Sequence, residues 1–71
     1  MYYPRLKDLR DDKDLVQKEI AAYLNIDQRT YSNYETGKRE IPTHLVIALA
    51  KFYKTTTDYI FGLTNDPKPN K

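Results

Sequence analysis

The sequence has few of the residues that most often do chemistry: of its 71 residues none is cysteine, one is histidine and two are glycine. Without cysteine there is no disulfide, thiolate metal site or thiol nucleophile, which is typical of a reducing compartment and predicts a cytoplasmic protein. Two glycines cannot make a phosphate-cradling loop, and His44 has no second ligand near it. We therefore expect no enzyme, no cofactor and no metal site.

Long apolar runs and a signal-peptide core are also missing, so we expect no membrane partner. The length suits one small domain, which we place at residues 1–64. The segment 65–71, polar and punctuated by proline, is predicted to be a flexible tail. The net charge is only +2 and is unevenly spread: residues 1–36 carry six basic and seven acidic side chains, residues 37–71 six and three.

Apolar residues at helical spacing predict an all-α fold, a compact bundle of five short helices. Pro4 suits the first turn of a helix that ends near Asp12. The fourth helix, predicted to be the main contributor to the core, starts with either Thr43 as N-cap or Pro42 at its first position. Thr56 is expected to cap the fifth helix.

The stretch 17–37 predicts two helices joined by a tight turn, a helix-turn-helix of helices two and three. Ile20, Ala21 and Leu24 form one apolar stripe on the first of them. Asn25 tolerates the left-handed conformation that ends a helix, and Asp27 is a good N-cap for the next. Gly37 is expected to end that third helix.

The third helix is predicted to turn Thr30, Tyr31 and Tyr34 inward and a set of polar side chains outward. Arginine pairs with guanine in the major groove, glutamine and asparagine pair with adenine, and serine can contact a base or a phosphate. The outward residues are therefore candidate base readers, although a polar helix face can also be simply solvated: Gln28, Arg29, Ser32 and Asn33.

The segments LKDLR, QKEIAAYLNI, TYSNYETGKREIP, LAKFY and TTTDYIFGLT resemble, in order and spacing, the lambda-repressor-like (Cro/cI, xenobiotic-response-element type) helix-turn-helix family. The resemblance implies a five-helix fold that binds operator DNA, usually as a dimer. It implies phosphate contact by Gln17 and a position near the sugar-phosphate backbone for Lys38. The expected DNA-backbone set also includes Lys18 and Arg39, and simple solvation is the alternative for the adjacent pair Lys38 and Arg39.

The same resemblance implies an internal ion pair between Arg10 and Glu35, with a plain surface arginine as the alternative. Val16 departs from the family, which usually has a capping residue at this position. Because valine cannot cap, the second helix is expected to begin about 0.5–2 kcal/mol less firmly than with a hydroxyl cap.

The fifth helix is too short to turn all its large apolar side chains inward, so they either seal the core or form a dimer patch. This candidate patch comprises Tyr59, Ile60, Phe61 and Leu63.

Two functions remain open from the sequence. The leading hypothesis is a sequence-specific, double-stranded-DNA-binding transcriptional regulator, a repressor acting as a homodimer on a near-palindromic operator. The alternative is a protein-interaction module, such as an antitoxin or an anti-repressor target. A protein antagonist that controls the regulator is one further candidate partner, beside control by dimer concentration or by proteolysis.

Overall fold

The structure, a computed structural model, describes residues 2–68, whose regular secondary structure is entirely helical. Five helices follow one another: α1 (Pro4–Asp12), α2 (Gln17–Leu24), α3 (Gln28–Glu35), α4 (Thr43–Tyr53) and α5 (Thr57–Phe61). The predicted all-α, five-helix bundle is confirmed. Within the same residues no helix has both the length and the apolar character that crossing a membrane requires.

The core receives side chains from all five helices, so the bundle closes around one apolar centre. Five of its buried residues come from α4, which confirms the prediction that this helix contributes most. Each large apolar side chain that is fully removed from water stabilises the fold by about 1.5–3 kcal/mol. The completely or almost completely buried aliphatic and aromatic residues are Leu6, Ile20, Tyr31, Val46, Leu49 and Ile60.

Local signals at the helix ends act as predicted. The Asp27 carboxylate accepts a hydrogen bond from the Arg29 backbone N–H (3.2 Å), and the Thr56 hydroxyl accepts one from the Tyr59 N–H (3.0 Å). Asn25 ends α2 with a φ of 59°, in the left-handed region. These caps fix where α3 and α5 begin and how sharply the chain turns between α2 and α3.

The start of α4 differs by one position from both alternatives drawn from the sequence. Pro42 is the N-cap in an extended conformation, and Thr43 is the first helical residue rather than the cap. The Pro42 carbonyl accepts hydrogen bonds from the N–H groups of Leu45 and Val46. Proline can take this place because an N-cap residue needs its carbonyl, not its own N–H.

The boundary predicted at residue 64 does not mark the end of the intramolecular contacts. The Arg5 guanidinium donates to the carbonyls of Tyr59 (2.9 Å) and Thr64 and to the Asn65 side-chain oxygen (2.7 Å). Thr55 Oγ1 donates to the Pro67 carbonyl at 2.6 Å. Residues 65–68 are therefore attached to α1 and to the α4–α5 junction, whereas 69–71 of the predicted tail lie outside the described residues.

Candidate nucleic-acid interface

Helix α3 has an inner and an outer face. Tyr31 and Glu35 point inward and are 0% and 3% exposed. Gln28 and Arg29 point outward and are exposed, and Ser32 and Asn33 beside them are half-buried. The helix therefore presents four polar side chains, the residues singled out from the sequence, on the side away from the core.

Helices α2 and α3 pack directly on each other. Ala21 is 3% exposed, and the Ile26 N–H donates to its carbonyl at 3.0 Å, which closes the turn between the two helices. A residue as small as alanine lets the two backbones approach closely. The N-terminal turn of α2 is thereby held beside the outer face of α3.

An open concavity of about 480 Å³ lies where α2, α3 and the loop after α3 meet. Its lining contains two cations and no carboxylate. The side chains supply the donors and acceptors that can pair with base edges and phosphates. The lining residues are Gln17, Gln28, Arg29, Ser32, Asn33 and Lys38.

The structure brings together six of the eight residues predicted from the sequence to contact DNA. The other two, Lys18 and Arg39, are exposed but do not line the concavity. The roles of all eight at DNA stay predictions.

The loop after α3 is held in place by its backbone. The Arg39 N–H donates to the Asn33 carbonyl at 3.1 Å, and Gly37 has a φ of 82°. A Cβ on Gly37 would lie 3.0 Å from the Cβ of Tyr2, so this position needs glycine for its conformation and for the close approach of the N-terminal segment. Neither Tyr2 nor the hydrogen bond from the Tyr3 hydroxyl to Glu40 (3.1 Å) was foreseen, because such contacts leave no local signal.

Arg10 and Glu35 form a bidentate ion pair between α1 and the end of α3. Arg10 Nε and Nη2 lie 2.9 and 2.8 Å from the two carboxylate oxygens. Gln17 Nε2 donates to the same carboxylate at 3.3 Å. Although burial alone would raise it, the hydrogen bonds from Arg10 and Gln17 hold the pKa of Glu35 below its usual value; the same pair raises the pKa of Arg10.

Two tyrosines near this pair are buried, Tyr31 and Tyr53, and neither hydroxyl has a hydrogen bond of good geometry within the described residues. The Tyr31 hydroxyl still interacts with the Glu35 carboxylate and helps to lower the pKa of Glu35. Burial raises the pKa of both phenols, that of Tyr53 to about 12. The interior beside the ion pair is therefore a poor place for further negative charge.

The first turn of α2 has no cap from Val16, as predicted, because valine has no side-chain acceptor. A compensating contact was missed: the Glu19 carboxylate accepts a hydrogen bond from the Val16 N–H at 2.9 Å. A glutamate three residues after an N-cap is the sequence signal that could have revealed it.

The candidate dimer patch needs correction because Ile60 is 1% exposed and belongs to the core. Tyr59 lies under the Arg5 guanidinium (4.1 Å to the ring centroid), and the Phe61 ring contacts that of Tyr3 edge-on at 5.0 Å. Both are half-buried, whereas Leu63 is 74% exposed. In so short a helix Ile60 takes the inward position. Contacts with α1 and with the N-terminal segment partly cover Tyr59 and Phe61.

Residues 2–68 contain no group of three or more His, Cys, Asp or Glu side chains that could hold a metal ion.

A five-helix bundle in which α2 and α3 join through a tight turn and expose a polar third helix defines a helix-turn-helix domain. A family model described as "Helix-turn-helix" matches residues 6–60. The chain therefore belongs to the lambda-repressor-like helix-turn-helix family, as its sequence segments suggested.

Several curated relatives carry names of the same kind. The chain is 36% identical over 69 residues to the uncharacterized HTH-type transcriptional regulator YobD and 37% over 67 residues to the HTH-type transcriptional regulator ImmR, both of Bacillus subtilis. It is 38% identical over 53 residues to the cryptic phage CTXphi transcriptional repressor RstR of Vibrio cholerae. These alignments cover 97%, 94% and 75% of the chain but 62%, 53% and 48% of the relatives. No solved structure matches the chain.

Proposed function

We propose that this protein is a sequence-specific, double-stranded-DNA-binding transcriptional regulator that inserts α3 into the major groove. The observation that carries the proposal is the concavity whose six lining residues combine base-pairing groups with cations and include no carboxylate. A helix fits the major groove, and in a helix-turn-helix the second helix lies there with its N-terminal residues at the base edges. Gln28 and Arg29 occupy that end of α3.

Two sets of side chains have different roles at the proposed interface: one reads bases and the other contacts the DNA backbone. Arg29 pairs with guanine, Gln28 and Asn33 pair with adenine, and Ser32 contacts either a base or a phosphate. The second set holds the phosphates of the DNA backbone and fixes the register of the protein without reading sequence. Its members are Gln17, Lys18, Lys38 and Arg39.

The proposed assembly is a homodimer. A recognition helix of eight residues covers only a few base pairs, so a second copy adds affinity and selectivity. Two copies related by a two-fold axis place their recognition helices about 34 Å apart on one face of the duplex, which requires a near-palindromic site.

The proposed effect on transcription is repression, which the name of RstR supports. The chain spans about half to three-fifths of the length of the relatives it matches. Repression is therefore proposed from the DNA-binding domain that the chain shares with them. Cytoplasmic location and control by a protein antagonist stay predictions.

Selection of bound duplexes from a random-sequence pool, run at two salt concentrations, tests the proposal. We expect enrichment of a short near-palindromic motif, with affinity that falls as salt rises because phosphate contacts release counterions. Failure to enrich any sequence, together with an equimolar protein that co-purifies with the chain, would favour the protein-interaction module instead.

A further inference from the structure

The first turn of α2 lies at the edge of the concavity but lacks the usual means of fixing a helix start. Val16, its N-cap residue, is 56% exposed and has no side-chain oxygen to offer the first amides of the helix, so only its backbone carbonyl accepts from them, with the Glu19 N–H at 3.0 Å. A serine, threonine, asparagine or aspartate at this position would supply that acceptor. The Glu19 carboxylate accepts a hydrogen bond from the Val16 N–H, but it does not supply the acceptor that a capping side chain would give.

The buried ion pair reaches the residues on both sides of Val16. Arg10 Nη1 donates to the Leu15 carbonyl at 2.9 Å, and the Leu15 N–H donates back to the Arg10 carbonyl at 3.1 Å. On the other side, Gln17 Nε2 donates to the Glu35 carboxylate. The Arg10 and Glu35 side chains are 12% and 3% exposed, so packing restricts both.

We propose that Arg10 and Glu35 are positioning residues for DNA binding: their ion pair fixes the first turn of α2 and orients the Gln17 amide toward a DNA phosphate. This inference rests on the proposed function. Neither residue lines the concavity, so each acts through Gln17, which does.

The chemistry of the amide explains how the orientation is set. A carboxylate without its proton only accepts hydrogen bonds, so it selects the nitrogen end of the Gln17 amide. One N–H of that nitrogen is then occupied by Glu35, and the second N–H is left to donate. A phosphate oxygen at the concavity can accept from this N–H, and its negative charge strengthens the hydrogen bond.

Replacing both charged partners with apolar residues separates positioning from folding. Removal of one partner would leave a buried charge, whereas exchange of a whole buried pair for apolar side chains is often neutral or stabilising. We therefore choose Arg10→Met combined with Glu35→Leu, and verify its fold and its denaturation midpoint. Gln17→Ala is then introduced into this variant and into the wild type.

The readout is affinity for a short mixed-sequence duplex at low salt, because phosphate contacts do not depend on sequence. In the wild type, Gln17→Ala should weaken binding about 10-fold, the effect of one hydrogen bond to a charged group. In the apolar variant the same change should weaken binding less than about 2-fold, because the amide is no longer held in place. The salt dependence should not change with Gln17→Ala, since glutamine is uncharged.

The exposed pair Lys7–Asp11 on α1, 2.7 Å apart, supplies the matched control. Lys7→Met combined with Asp11→Leu likewise removes one positive and one negative charge, here both from α1. Although Asp11 Oδ1 also lies 3.6 Å from Arg10 Nη1, this change leaves the hydrogen bonds from Arg10 and Gln17 to Glu35 in place. In this background Gln17→Ala should keep its full wild-type effect. A reduced effect here would show that charge removal from α1, not positioning of Gln17, explains the result, and would overturn the inference.

A measurement on the free protein keeps this inference distinct from the proposed function. The side-chain amide resonances of Gln17 should shift when Arg10 and Glu35 are replaced and stay in place in the Lys7–Asp11 control. Unchanged resonances, or an equal Gln17→Ala effect in all backgrounds, would overturn positioning while leaving DNA binding intact. A wild-type protein that fails to bind the duplex would instead overturn the proposed function and the phosphate contact together.

Discussion

The two faces of α3 differ in nearly every property, although they share one helix of eight residues. On the inner face, Tyr31 fills the core and Glu35 is paired with Arg10. On the outer face, Gln28 and Arg29 form no side-chain hydrogen bond or ion pair with any other residue in the range 2–68. Because side-chain direction repeats every 3.6 residues, one set of positions packs in the core, and the other is left for the recognition of DNA that we propose.

The largest expected effect lies on the inner face. Tyr31→Ala should lower the free energy of unfolding by about 3–5 kcal/mol, because it empties a fully buried aromatic site. Urea denaturation measures it. Tyr31→Phe is the matched control: it keeps the buried ring and removes only the hydroxyl and its interaction with the Glu35 carboxylate, so it should cost far less. If Tyr31→Ala lowered the free energy of unfolding no more than Tyr31→Phe does, the inner face of α3 would not be the stabilising one.

High pH provides a second test of the interior. Burial raises the pKa of Tyr31 and raises that of Tyr53 to about 12, whereas an unfolded tyrosine ionises near 10. Between these values the unfolded state loses protons that the folded state keeps. Stability should therefore be complete below about pH 10 and fall above it, by at most about 1.4 kcal/mol per pH unit for each phenol.

Denaturation midpoints measured across this range, together with phenolate absorbance, should show the loss. The variant with Tyr31→Phe and Tyr53→Phe should show a flatter profile. A wild-type midpoint that stays constant through this range would contradict the burial of the two phenols.

The outer face should respond in binding rather than in folding. Arg29→Ala should weaken binding to the selected operator by about 1–3 kcal/mol and relax the preference at one base pair, with a stability change within about 0.5 kcal/mol. Lys38→Ala removes the same charge and should weaken all sequences similarly, reducing the salt slope by about 1. Equal losses on operator and random DNA for both variants would show that the assigned roles are wrong.

A change at Asp27, the N-cap of α3, should give the smallest effect of the four predictions. It should affect both stability and DNA binding, because this cap supports the start of the whole helix. Asp27→Ala removes the acceptor of the Arg29 N–H and should destabilise the protein by about 0.5–2 kcal/mol while loosening the turn that carries Gln28 and Arg29. Asp27→Asn keeps an acceptor and should recover most of the loss in a denaturation experiment. No loss from Asp27→Ala would mean that the cap contributes little, whereas equal losses from both changes would assign the effect to the charge of Asp27.

The predictable parts of the fold depend on short-range chemistry. Asn25, Asp27 and Thr56 have side chains or conformations suited to helix ends, and each is found at the end where the sequence placed it. Periodicity likewise predicted the inward direction of Tyr31. Signals of this kind act within about one helical turn, so they are visible without knowledge of the tertiary structure.

The missed parts depend on contacts between distant segments. Arg5 binds carbonyls of residues 59 and 64, more than fifty positions away, and nothing beside Arg5 in the sequence indicates it. The burial of Ile60 rather than its neighbours depends on how α5 packs, which a five-residue helix does not reveal by period. At the candidate site, spacing predicted which residues share a face, but not the hydrogen bond from Gln17 to Glu35.

The most direct test of the two-face account is a titration of the isotope-labelled protein with the selected duplex, followed by backbone and side-chain amide shifts. The account predicts perturbations at Gln17, Gln28, Arg29 and Lys38. It predicts none at the exposed aromatic pair Tyr23 and Phe52, whose ring centroids lie 4.5 Å apart and which do not line the concavity. Perturbations centred on Tyr23 and Phe52, with the outer face of α3 unchanged, would contradict it.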